Sequence, residues 1–67
     1  MRDDLLRALK AHAQGHIQKH KANLEVYLSS PVGIGEHPDI IAAMEAELEQ
    51  LAKWDDNFEM IKKYLDK

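Results

Sequence analysis

The 67 residues contain no cysteine, which excludes a disulfide framework, thiolate metal ligands and a thiol nucleophile. Long apolar runs are equally absent. Nothing approaches the ~18 residues of a membrane span or the core of a signal peptide, and the chain opens on Met1-Arg2-Asp3-Asp4. The protein is therefore expected to stay in the cytoplasm where it is made, not secreted by a signal of its own and not engaged with a membrane. A basic excess is lacking too: nine Lys and Arg stand against twelve Asp and Glu, for a net charge of −3. Nucleic acid is not an expected partner, because its phosphates call for clustered cations. Lys19-His20-Lys21 is a short basic flank without interleaved aromatics. Only two prolines and three glycines are present, and both prolines and two of the glycines crowd into residues 31 to 38.

What remains is helical in pattern. From Asp3 to about Leu28 the residues Leu5, Leu6, Leu9, Ala13, Ile17, Leu24, Tyr27 and Leu28 recur every three or four positions, as one buried helix face does. Asp3 is the expected N-cap. Ser29-Ser30-Pro31 ends the helix, since the residue before proline is pushed out of helical geometry. Pro31-Val32-Gly33-Ile34-Gly35-Glu36-His37-Pro38 is a turn that no helix interior would tolerate, with Val32 and Ile34 expected to fold back over the end of the structure. Its Gly-x-Gly lacks the preceding strand and the third glycine or lysine of a phosphate loop, and reads as punctuation.

A second helix follows from Ile40, Ile41, Met44, Leu48, Leu51, Trp54, Phe58, Ile61 and Leu65, with Pro38 acceptable in its first turn and Lys62, Lys63 and Lys67 suiting its negative end. The expectation is one all-α domain over 1–67: a helix over about 3–29, a turn over about 30–37 and a helix over about 38–66. Pairs such as Asp3/Arg7, Glu49/Lys53 and Glu59/Lys63 would lace the outside.

A short turn makes the two helices antiparallel, and two helices touch along one line only. A single core below about 70 to 80 residues rarely supplies more than ~3 to 5 kcal/mol. Leu6, Ile17, Leu28, Ile41, Met60 and Tyr64 widen the apolar face beyond what one neighbour covers. The hairpin is thus expected to pair with itself, a homodimer closing a four-helix bundle being the simplest solution. Charge favours docking of the halves: residues 1 to 34 carry five basic and three acidic side chains, residues 35 to 67 four and nine.

One seam interrupts the apolar faces. His12, His16 and His20 are four apart, which places them as a ladder on one helix face, His16 and His20 near the middle of the apolar stripe and His12 at its edge. All three are expected to face inward. On the second helix Glu47 falls inside the stripe and Asp55 near its edge. With facing residues summing to about 68, Glu47 is set opposite His20, Asp55 between His12 and His16, and Gly15 opposite Trp54, where it would make room for the indole.

The preferred reading is a hydrogen-bonded seam in which carboxylates orient the imidazoles and fix register. The alternative is a Zn²⁺ site built from His12, His16, His20, Glu47 and Asp55, since two histidines at i, i+4 can bind one Zn²⁺ and a facing carboxylate plus a water would complete a tetrahedron. A di-iron carboxylate centre is disfavoured because no Glu-x-x-His motif is present. Trp54, Phe58, Tyr27 and Tyr64 read as packing residues. No Ser-His-Asp arrangement can be drawn and a hairpin offers no evident cleft, so catalysis is not expected.

The stretch from His16 to Leu28, followed by Pro31-Val32-Gly33-Ile34-Gly35-Glu36-His37-Pro38-Asp39, resembles a family of small uncharacterised proteins of tailed cyanophages and marine metagenomes, over nearly the whole chain. That resemblance implies a phage-encoded protein acting in the cytoplasm of a host cell. The family carries no assigned activity, so it implies no site residues.

Overall fold

The computed structural model describes residues 1–29 and 39–66. Two helices account for almost all of these, α1 over Arg2–Ser29 and α2 over Ile40–Tyr64. They lie antiparallel as an all-α hairpin, tied near the chain ends by Arg2 to the Leu65 carbonyl at 2.6 Å and by Lys10 to Asp66 at 2.7 Å. The molecule measures 48 × 15 × 13 Å, the thickness of a single helix pair. No helix among the described residues is long and apolar enough to cross a membrane.

The helix ends differ in detail from expectation. α1 begins one residue early because the Met1 carbonyl accepts from the Leu5 amide at 3.0 Å, so Asp3 is not its cap. Asp3 and Asp4 occupy the first turn instead, near the positive end of the dipole. Ser29 closes the helix, its hydroxyl donating to the Glu25 carbonyl at 2.6 Å. α2 starts at Ile40, and Pro38 lies outside the described residues. Asp39 caps α2, its carboxylate accepting from the Ala42 amide at 2.9 Å. An Asp directly before the apolar pair Ile40-Ile41 is a helix-start signal of ordinary strength. At its other end α2 stops at Tyr64, and the Leu65 and Asp66 amides both return to the Ile61 carbonyl. The expected turn, including Val32, Ile34 and the Gly33-Ile34-Gly35 segment, lies outside the described residues.

The seam between the helices is thin. Ala13, Ile17 and Ile61 are its buried apolar residues, joined by His20. Around them Leu6, Leu24, Tyr27, Ile40, Met44, Leu51, Trp54 and Phe58 are half-buried. Ile17, expected off the main stripe, is central, whereas Leu5, Leu9, Leu28, Ile41, Leu48 and Leu65 remain exposed. On the outside Arg7 pairs with Asp4 rather than Asp3, at 3.2 Å, and Glu59 with Lys62 rather than Lys63, at 3.8 Å. The i, i+3 partner is equally within reach on a helix surface.

Candidate functional site: a histidine seam and two apolar flanks

His20 sits where the register places it, facing Glu47. Its Nδ1–H donates to Glu47 Oε2 at 2.5 Å, and Asn23 Nδ2 donates to the other carboxylate oxygen at 3.0 Å. Both oxygens of a half-buried carboxylate thus have a donor, one of them a nearly enclosed imidazole. The His20 hydrogen bond, aided by Asn23, holds the Glu47 carboxyl below its usual range against the opposing effect of desolvation. Because an ionised carboxylate only accepts, Glu47 also fixes which His20 nitrogen carries the proton. Asn23 escaped the sequence reading. It lies three residues beyond His20, hence on nearly the same face, and that spacing was the available signal.

One turn back the ladder changes character. The His16 ring stacks on the Trp54 indole, centroids 3.9 Å apart and planes 6° from parallel. His20 is stacked behind it at 6.1 Å, and His12 meets both rings edge-on, at 4.7 Å from His16 and 5.3 Å from Trp54. His16 Nδ1 is buried and has no hydrogen-bond partner. Desolvation first, then the neighbouring His12, Lys19, His20 and Lys53, lowers the His16 pKa from its ordinary value. The ring is therefore favoured in its neutral form, packed as an aromatic rather than paired as a base.

Three expectations fail here. His12 is exposed, held at the edge of the seam where its ring meets Trp54, and Asp55 is exposed, so neither is enclosed between the helices. Asp55 does not join the histidines because it is eight residues from Glu47, a rotation of about 80° around α2. Trp54, seven residues on, returns to within about 20° of Glu47 and takes the position facing the ladder. Gly15 makes no room for that indole: a Cβ built on it meets nothing within 4 Å. Among the described residues no group of three or more His, Asp or Glu side chains converges so as to hold a metal ion. His20 is engaged with Glu47 and His16 lies face to face with an indole, so in this arrangement the histidines are held by the facing helix and do not converge on one point.

Beside the ladder, toward the chain ends, the surface is apolar. One groove is lined by Leu9, Ala13, Trp54, Asn57, Met60, Ile61, Tyr64 and Leu65. A second, lined by Arg2, Leu5, Leu6, Leu9 and Leu65, shares Leu9 and Leu65 with it, so the two make a continuous trough. On the opposite flank, toward the other end of the rod, Leu24, Leu28, Met44 and Leu48 form a separate groove whose walls include Gln18, Lys21 and Glu25. Set against known protein families, curated proteins and solved structures, this chain matches none, and its own side chains are what speak for its role.

Proposed function

We propose that the chain is a small self-associating helical module, structural or protein-interacting in role, in which two hairpins close into a four-helix bundle. The observation that carries this reading is the mismatch between core and surface. Among the described residues ten large hydrophobic side chains stand exposed while three apolar residues are buried. Single exposed apolar residues are unremarkable on a folded chain, but contiguous patches mark interaction sites. A hairpin this thin gains most of its apolar burial from whatever covers those patches.

The histidines have a structural part in this reading. Glu47, His20 and Asn23 form a satisfied polar network that specifies how the two helices slide against each other, the best-attested use of buried polar groups in helical bundles. The resemblance to cyanophage proteins without assigned activity fits such a module and would set it in the cytoplasm of an infected host.

Light scattering coupled to gel filtration tests the reading. The expected mass at micromolar concentration is at least twice the 7.7 kDa of the chain, with helical circular dichroism. A folded species at the monomer mass would overturn it.

A further inference from the structure

We infer that a second copy of this chain seats on the trough at the end carrying the chain termini, forming a closed, two-fold dimer through Leu5, Leu9, Met60, Tyr64 and Leu65. This rests on the self-association reading and adds which surface is used. The opposite flank is then left as outer surface.

Area is the first argument. The five side chains are 65%, 47%, 39%, 59% and 43% exposed, which at roughly 200 Å² for a large side chain amounts to about 500 Å² of apolar surface. A standard interface takes about 800 Å² from each partner, of which about 65% is apolar in homodimers. The trough supplies that apolar share. Its half-buried walls, Leu6 and Trp54, together with Asn57 and Arg2, supply material for the remainder.

Charge is the second. A two-fold axis brings a patch against its own copy, so any charge in it tends to meet its like. The floor of the groove around Met60 and Tyr64 holds no charged residue, the Lys53 and Lys63 ammonium groups standing at its rim 5.1 and 5.2 Å from the Trp54 and Tyr64 rings, and its continuation past Leu5 holds Arg2 alone. Arg2 is already engaged with the Leu65 carbonyl. In a chain with 31% charged residues this is the composition of an interface centre, depleted in charge and holding Met, Tyr and Trp. The opposite groove carries Lys21 and Glu25 in its walls beside Leu24, Leu28, Met44 and Leu48, so a two-fold contact there would set charge against like charge.

Two experiments test the assignment. In the first, Leu5→Glu with Tyr64→Glu is compared with Leu28→Glu with Leu48→Glu by sedimentation equilibrium. The trough pair is expected to raise the dimer dissociation constant by about 100-fold or more, because it would bury unpaired carboxylates, and the other pair to change it less than about tenfold. The second remains decisive if the charged variants fail to fold. Since the chain has no cysteine, single substitutions Leu5→Cys, Leu9→Cys, Met60→Cys and Tyr64→Cys are oxidised mildly and compared with Leu28→Cys, Ile41→Cys and Leu48→Cys. At least one trough position is expected to give disulfide-linked dimer, and none of the other three. Crosslinking confined to Leu28, Ile41 or Leu48, or found at no position, overturns this assignment while leaving self-association standing. Large open assemblies crosslinked through both flanks overturn the closed dimer in favour of head-to-tail growth. A wild-type monomer overturns the self-association reading itself.

Discussion

His16 and His20 are successive rungs of one ladder, the same residue type on the same helix face, and they have opposite relations to their surroundings. His20 faces a carboxylate that a second donor also holds. His16 faces an indole and keeps a buried nitrogen without a partner. What separates them is the residue across the seam, Glu47 for one and Trp54 for the other. A polar side chain on an apolar stripe is thus given its role by the facing helix.

The contrast is broken most strongly by one substitution made at both rungs. His20→Phe removes the donor to Glu47 and leaves a half-buried carboxylate with Asn23 alone. A loss of about 2 to 3 kcal/mol in unfolding free energy is expected, the usual cost of unpairing a charged hydrogen-bonding group. His16→Phe keeps a ring on Trp54 and deletes the orphaned nitrogen, so stability should be unchanged or rise by up to about 1 kcal/mol. Urea titrations at one fixed protein concentration measure both, the concentration being fixed because association contributes to apparent stability. Equal destabilisation at the two rungs would remove the distinction between them.

The pH dependence of stability sharpens the same contrast. His16 has its folded pKa below the ordinary value of 6.5, so the unfolded chain binds the proton more readily. Its contribution to stability is full above 6.5 and declines as pH falls through that value toward the folded pKa. Glu47 has its folded pKa below 4.5, so its contribution is full above 4.5 and is lost only in stronger acid. Stability of the wild type should therefore fall in two stages on acidification. In His16→Phe the stage beginning near 6.5 should shrink and the stage below 4.5 persist. An unchanged profile between pH 7 and about pH 5 would show that His16 is not the group responsible.

The sequence carried one half of this contrast and missed the other for a geometric reason. Helical periodicity and a short connection are enough to set two helices antiparallel, and the facing rule then pairs His20 with Glu47 correctly. That rule fixes height along the seam, whereas inclusion in a site also needs the right angle around the helix. Asp55 has the height and lacks the angle; Trp54 has both. The first cap follows from similar local competition, the Met1 carbonyl taking the Leu5 amide so that Asp3 falls inside the first turn. Burial was the least legible quantity. Leu5 and Ile17 look alike as members of a stripe, yet one is 65% and the other 9% exposed, because two helices touch along a line and only the middle of each stripe reaches it.

Gly15, next to the unpaired rung, offers the smallest effect and a direct check on how loosely that region is packed. The sequence suggests that its missing side chain accommodates Trp54. The structure instead rotates it about 100° away from His16, with open space where a Cβ would stand and no positive φ to require a glycine. In the middle of α1 such a residue costs backbone entropy and returns nothing in packing. Gly15→Ala should raise unfolding free energy by about 0.5 to 1 kcal/mol, with the His16–Trp54 stack undisturbed and the tryptophan emission spectrum unchanged. Destabilisation would mean that something does lie against Gly15 in solution. The second copy of the chain would then have to reach past the trough onto the outer face of α1, extending the interface drawn above.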